Sequence, residues 1–176
     1  MSNGLYKDRF MKLDLCCGPR KPDGYMGIDL IPFKGVDKVY DLNFGIPLPD
    51  GTCDEVRAYD AIEHLRDGRN TMREIWRVLK PNGLVEILVP STDGRGAWQD
   101  LTHVSFWNEN SFGYWINDQD WMDYYRGSCL FTRELLFTTG MSSDRVCHVK
   151  FKGRAVKLQE WLDLFYKRNV YKGNAG

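Results

Sequence analysis

Short apolar runs separated by glycine and proline fill the first half of the chain, and they predict a series of buried strands. The runs lie at 12–16, 25–29, 37–41, 54–59 and 84–89. Between the last two, apolar residues at positions 72, 75, 76 and 79 fall on one face of a helix predicted at 70–79. Strands joined through such a helix are typical of a parallel sheet covered by helices.

The second half of the chain has a different character. Residues 91–127 are polar and aromatic, with one helix predicted at 108–115. Residues 129–138 and 145–157 predict two strands joined by a turn at 140–143, hence an antiparallel hairpin at the sheet edge. A last helix is predicted at 158–166, and residues 1–176 are expected to form a single α/β domain.

The first connection between strands is short. Ten residues separate Gly18 from Asp29, and they include Pro19, Pro22 and Gly24. A complete crossover with its helix needs at least about ten to twelve residues. The first helix is therefore expected to be missing or reduced to a turn.

The composition bears on the protein's partners, on its cysteines and on its location. Lysine plus arginine equals aspartate plus glutamate at 24 each, so nucleic acid is not a favoured partner. Five cysteines without a C-x-x-C pair indicate reduced thiols. No leader or membrane-spanning run is visible, so we expect a cytoplasmic protein without a membrane partner. The sequence does not indicate an oligomeric state.

Four landmarks follow the predicted strands in order. They are Gly18 after the first strand, Asp29 after the second, Asp41-Leu42 after the third, and the run Tyr59 to Leu65 (YDAIEHL) after the fourth. Over roughly residues 12–115 they resemble the class I S-adenosylmethionine-dependent methyltransferases, and YDAIEHL resembles small members related to the quinone-biosynthesis group. The resemblance implies a Rossmann-like methyltransferase fold and S-adenosylmethionine as cofactor.

The resemblance also implies a cofactor contact for each landmark, although Cys16 and Arg20 stand where glycines are usual. The implied contacts are the methionine part for Cys16, Cys17 and Gly18, the ammonium for Asp14, the ribose hydroxyls for Asp29, the adenine for Leu30, Asp41 and Leu42, and the sulfonium for Tyr59 and Asp60. As alternatives, Asp14 caps the turn, and Asp29 and Asp41 are ordinary strand-end carboxylates.

The segment after the fifth strand is the candidate for catalysis. A sulfonium methyl is already activated, so the enzyme mainly aligns the acceptor and excludes water, and a base helps a hydroxyl acceptor. His103 is the predicted general base and Asp100 its orienter, within a D-x-T-H segment of the resembling family. The aromatic residues of 98–121 are predicted to cover the acceptor. The alternatives are a structural histidine clamp and an aromatic core.

Glu63 and His64 are adjacent, with Asp60 one turn earlier. Two carboxylates and one histidine without a further ligand are poor grounds for a metal. We predict no metal site, and favour Asp60 as the cap at a helix start.

We therefore expect a methyltransferase acting on a small-molecule acceptor. A nicotinamide oxidoreductase needs G-x-G-x-x-G opening a helix, and a nucleic-acid amino methyltransferase needs Asn or Asp, two prolines and an aromatic where this chain has Tyr59 to Ile62. A degenerate cofactor-binding module without activity stays open, because of Cys16, Arg20 and the missing helix.

Overall fold

A computed structural model describes residues 10–116 and 129–157. Its seven strands form one sheet in the order β3-β2-β1-β4-β5-β7-β6. The strands are β1 (Lys12–Leu15), β2 (Tyr25–Asp29), β3 (Lys38–Val39), β4 (Cys53–Tyr59), β5 (Leu79–Pro90), β6 (Leu130–Thr138) and β7 (His148–Val156).

The first five strands are parallel, whereas β7 runs antiparallel between β5 and β6. This confirms the predicted mostly parallel sheet with an antiparallel edge. The third strand is shorter than the predicted 37–41, because the side chain of Asp37 accepts from Gly27 N and that of Asp41 from Asn43 N. The first bond ties Asp37 to the neighbouring strand β2, and the second turns the chain after Asp41.

Helices are few in the described residues. The helix α1 (Gly68–Val78) is capped by Asp67 and buries Met72, Ile75 and Val78. The predicted helix 108–115 divides into α3 (Glu109–Phe112) and a 3₁₀ turn (Gly113–Trp115), and a short α2 (Gly96–Gln99) was not predicted. The predicted helix 158–166 lies outside the described residues.

The first crossover is a single 3₁₀ turn, Gly18–Arg20, which confirms the prediction of a reduced first helix. The sheet face on that side carries polar side chains, among them the pairs Lys12–Glu55 and Asp14–Arg57 across β1 and β4. Tyr59 and Lys152 both bind Glu86 and continue this network to β5 and β7. A face satisfied by polar pairs does not need an apolar helix to cover it.

Within residues 10–116 and 129–157, no helix is long and apolar enough to cross a membrane. All five cysteines are free thiols. The cytoplasmic location and the single domain over residues 1–176 stay predictions.

Candidate active site

The carboxyl ends of β1 and β4 carry residues in the left-handed region. Cys16 has φ 49°, Gly18 φ 55° and Asp60 φ 49°. Left-handed backbone is costly for a residue with a Cβ, and it persists where the surrounding structure enforces it. Cys16 thus adopts a backbone conformation that glycine takes at lower cost. Burial raises the pKa of its thiol to about 12, so Cys16 is not a thiolate nucleophile.

Asp29 joins the glycine turn to the end of β2. Its carboxylate accepts from the backbone N–H of Gly18 at 2.8 Å and of Ile31 at 2.8 Å. An ionised carboxylate offers about four acceptor positions. Two are therefore left for other donors, such as a pair of ribose hydroxyls.

Asp14 is 2% exposed and faces Arg57 on β4. Its two oxygens accept from Arg57 Nη1 at 3.1 and 3.0 Å. Burial raises the pKa of Asp14 to about 6, and the guanidinium of Arg57 opposes that rise. The observed partner of Asp14 is thus a side chain across the sheet, not the backbone of the glycine turn.

The end of β3 presents the predicted adenine side of the site. Asp41 accepts hydrogen bonds from the backbone and side-chain amides of Asn43. The backbone hydrogen bond is the main cause that holds the pKa of Asp41 below its usual value. Leu42 is buried, whereas Leu30 is 63% and Phe44 80% exposed. Exposed apolar side chains at a strand end suit the flat face of an aromatic base.

Tyr59 and Asp60 follow β4. The Tyr59 hydroxyl donates to Glu86 at 3.1 Å and its ring lies 4.1 Å from the Arg57 guanidinium, on the polar face of the sheet. Asp60 Oδ1 lies 3.3 Å from His148 Nε2. The prediction that Asp60 caps a helix is wrong, because the 3₁₀ turn after it begins at Ile62 behind Ala61, without a side-chain cap.

The loops after β4 and β5 are held together by hydrogen bonds. The carbonyl oxygen of Glu63 accepts from Val104 N at 2.8 Å and Ser105 N at 3.0 Å, and Ser105 Oγ donates to Ile62 O. These bonds bring His64 and His103 together, with ring centroids 5.0 Å apart. The sequence separates the two histidines by 38 residues, so only the fold reveals the cluster.

His103 is more enclosed than a freely accessible base would be. Its side chain is 7% exposed, and its Nε2 lies 3.9 Å from both Glu63 Oε1 and Asp100 Oδ2. The hydrogen bond that orients the ring runs from Nδ1 to the carbonyl of Ala97 at 3.0 Å. The carboxylate of Asp100 instead accepts from Thr102, at N and at Oγ1.

Glu63 is 2% exposed, and neither of its carboxylate oxygens has a hydrogen-bond partner. Burial raises the pKa of Glu63 to about 8. No other buried side-chain oxygen or nitrogen in the described residues lacks a partner.

A cavity of about 600 Å³ opens between the start of α1 and the loop after β5, and Glu63, His64 and His103 are not among its lining residues. Two chain segments line it, and they begin at Arg66, two residues after His64, and at Ser105, two residues after His103. Phe106, Trp107, Tyr114 and Trp115 give it the aromatic lining that the sequence predicted for 98–121. Phe112, by contrast, is fully buried and stacks on Phe151 of the core, and Trp121 lies outside the described residues.

Residues 36–87 match the family described as methyltransferase domain. The match runs from the end of the β2–β3 connection into β5, and so includes Asp41 and the loop of Glu63 and His64. No curated protein matches the chain.

Several solved structures share the fold. The YcgJ protein from Bacillus subtilis is 13% identical, with TM-score 0.61 over 85% of this chain and 93% of that one. A putative methyltransferase from Bacillus halodurans is 14% identical, with TM-score 0.60 over 87% and 95%. A SAM-dependent methyltransferase from Aquifex aeolicus is 17% identical, with TM-score 0.55 over 84% and 82%. At these identities the likeness concerns the fold.

Proposed function

We propose that this chain, a class I S-adenosylmethionine-dependent methyltransferase by its fold and its methyltransferase domain, methylates a small-molecule acceptor. The observation that carries the acceptor class is the aromatic cavity, whose walls are formed by residues that follow His64 and His103 along the chain. Its volume of about 600 Å³ lies within the range of small-molecule sites, roughly 300–1,000 Å³.

The cofactor's place follows from the strand ends. In an open parallel sheet, ligands bind outside the carboxyl ends of the strands. Asp29 has acceptor positions left for the ribose, and Leu30 offers an apolar surface to the adenine. The backbone amides of Cys17 and Gly18 already donate to Ile28 O and to Asp29, so the turn holds Asp29 in place. This arrangement leaves the sulfonium facing the loops after β4 and β5.

The transfer breaks the bond between sulfur and methyl, leaves the electron pair on sulfur, and joins the methyl to the acceptor atom, which loses a proton. The protein contributes alignment and exclusion of water. The loop of His103 is proposed to assist removal of the acceptor's proton. The cavity wall is proposed to hold the acceptor atom in line with the bond between sulfur and the methyl group.

The acceptor class is tested with a cell extract divided by ultrafiltration. Purified protein and S-adenosylmethionine are added to the small-molecule filtrate or to the retained macromolecules, and S-adenosylhomocysteine is measured. We expect product with the filtrate. Product only with the retained fraction would contradict a small-molecule acceptor, and no product with either would favour the inactive module.

A substitution in the cavity wall tests the site. A Cβ at Gly68 would lie 2.7 Å from a ring carbon of Trp107, so Gly68→Ala must displace the indole. We expect a higher KM for the acceptor and an unchanged affinity for S-adenosylhomocysteine. An unchanged KM would place the acceptor elsewhere.

A further inference from the structure

The buried carboxylate of Glu63 needs an explanation that methyl transfer does not supply. Removing a carboxylate from water without a hydrogen bond is costly, and native proteins rarely do so without a partner. Two histidine side chains flank it, and one ligand atom from each of Glu63, His64 and His103 lies within 4.8 Å of the other two.

The hydrogen-bond partners of the two neutral imidazoles assign the lone pair of each to Nε2. Ala97 O is an acceptor, so the facing Nδ1 of His103 carries the hydrogen. His64 Nδ1 faces Thr102 O at 3.2 Å and Thr102 Oγ1 at 3.1 Å, and that hydroxyl already donates to Asp100 Oδ1 at 2.6 Å. Both partners of His64 Nδ1 are therefore acceptors, and Nδ1 is the donor.

This pattern is the one found around metal-binding histidines, which donate their second ring N–H to a carbonyl or carboxylate while the other nitrogen binds the ion. It also gives Asp100 and Thr102 a purpose, since they fix the ring of His64. We propose that Glu63, His64 and His103 bind one divalent transition-metal ion of the Zn²⁺ type, and this inference rests on the methyltransferase function proposed above.

The donor set indicates the kind of ion. Two imidazoles and one carboxylate suit Zn²⁺ and Fe²⁺, whereas Mg²⁺ and Ca²⁺ prefer oxygen ligands. In a tetrahedral site, bonds of about 2.1 Å place neighbouring ligand atoms about 3.4 Å apart. The three atoms, which lie within 4.8 Å of one another, therefore need to approach by up to about 1.4 Å. Three protein ligands leave a fourth position for water or substrate.

An ion bound at this site would explain how the acceptor loses its proton. A hydroxyl bound at the open position has its pKa lowered by the ion, and its proton passes to water. The enclosed Nε2 of His103 then acts as a ligand rather than as a free base, which fits its 7% exposure. The substrate class proposed for this site is an acceptor that offers a hydroxyl oxygen.

The test is metal binding by the purified, chelator-treated protein. Co²⁺ is followed by visible absorption and Zn²⁺ by calorimetry, and the chain's third histidine supplies the matched control. We expect one ion per chain, Co²⁺ bands without a thiolate charge-transfer band, and displacement of Co²⁺ by Zn²⁺. Glu63→Gln and His103→Gln should each weaken Zn²⁺ binding at least about 10-fold, whereas His148→Gln should not change it.

Binding of less than one equivalent, a thiolate band, or equal affinity in Glu63→Gln and the wild type would overturn the proposal. Circular dichroism checks the fold, and if Glu63→Gln does not fold, His64→Gln and His103→Gln decide the result. Calorimetry of S-adenosylhomocysteine with the chelated protein separates the two claims. Cofactor binding without metal binding refutes the ion alone, and metal binding without cofactor binding refutes the cofactor site alone.

Discussion

Asp29→Ala is the substitution whose consequences the structure defines best. In the cofactor site its carboxylate is expected to accept from the ribose hydroxyls, and a hydrogen bond to a charged group contributes about 1.5–3 kcal/mol. The affinity for S-adenosylhomocysteine should therefore fall about 10- to 150-fold. The 2′-deoxy analogue should lose less, because one of the two hydroxyls is already absent.

The same change must also affect stability. Gly18 N and Ile31 N both donate to Asp29 and lose their acceptor, which should lower the free energy of unfolding by about 1–3 kcal/mol. Urea unfolding measures this loss in the free energy of unfolding. It also shows whether the variant is folded at the temperature used for calorimetry.

Asp37→Ala is the matched control. Asp37 also accepts a backbone N–H, from Gly27 at 2.7 Å, but it precedes β3 instead of following the carboxyl end of a strand. It should cost stability without changing cofactor affinity. If Asp29→Ala binds S-adenosylhomocysteine within twofold of wild type, or if both variants lose affinity equally, Asp29 is a structural carboxylate and the ribose assignment is wrong.

Three further predictions concern charge and backbone around the site. Lys21 is held by an ion pair with Asp37, so Arg20→Gln, but not Lys21→Gln, should weaken binding of S-adenosylhomocysteine more than binding of adenosine; equal losses for both ligands would exclude a carboxylate contact. Arg57→Leu removes the observed partner of Asp14, which should lower the free energy of unfolding at pH 8 by about 3–5 kcal/mol. Because the folded-state pKa of Asp14 is raised to about 6, protonation relieves the penalty, and urea unfolding should find a smaller deficit at pH 4; a deficit independent of pH refutes this. Cys16→Gly should be more stable than Cys16→Ala by about 1 kcal/mol, since only glycine adopts φ 49° without strain; the reverse order in thermal unfolding would show that the turn is unstrained.

Local patterns were sufficient to predict the sheet. The strand β2 has the predicted bounds, and the reduced first crossover follows from two prolines and a glycine in ten residues. The third strand was predicted too long, because the side chains of Asp37 and Asp41 bind nearby backbone and end it. Such side-chain bonds leave no signal in hydrophobic patterning.

The catalytic end of the site depended on contacts that sequence spacing does not contain. Glu63 and His64 were discounted as metal ligands for want of a further ligand, and the fold brings a third candidate, His103, from the loop after β5 to within 4.8 Å of them. Asp100 was predicted to orient His103, but it binds Thr102, which faces His64. The D-x-T-H segment was the available signal, yet its target could be identified only in three dimensions.

The central claim is that the strand ends of β1, β2 and β3 bind S-adenosylmethionine, and calorimetry with S-adenosylhomocysteine tests it most directly. The account predicts saturable binding at one site per chain, lost or strongly weakened in Asp29→Ala and retained in Asp37→Ala. Absence of binding at millimolar concentration by wild-type protein with an intact fold would contradict it.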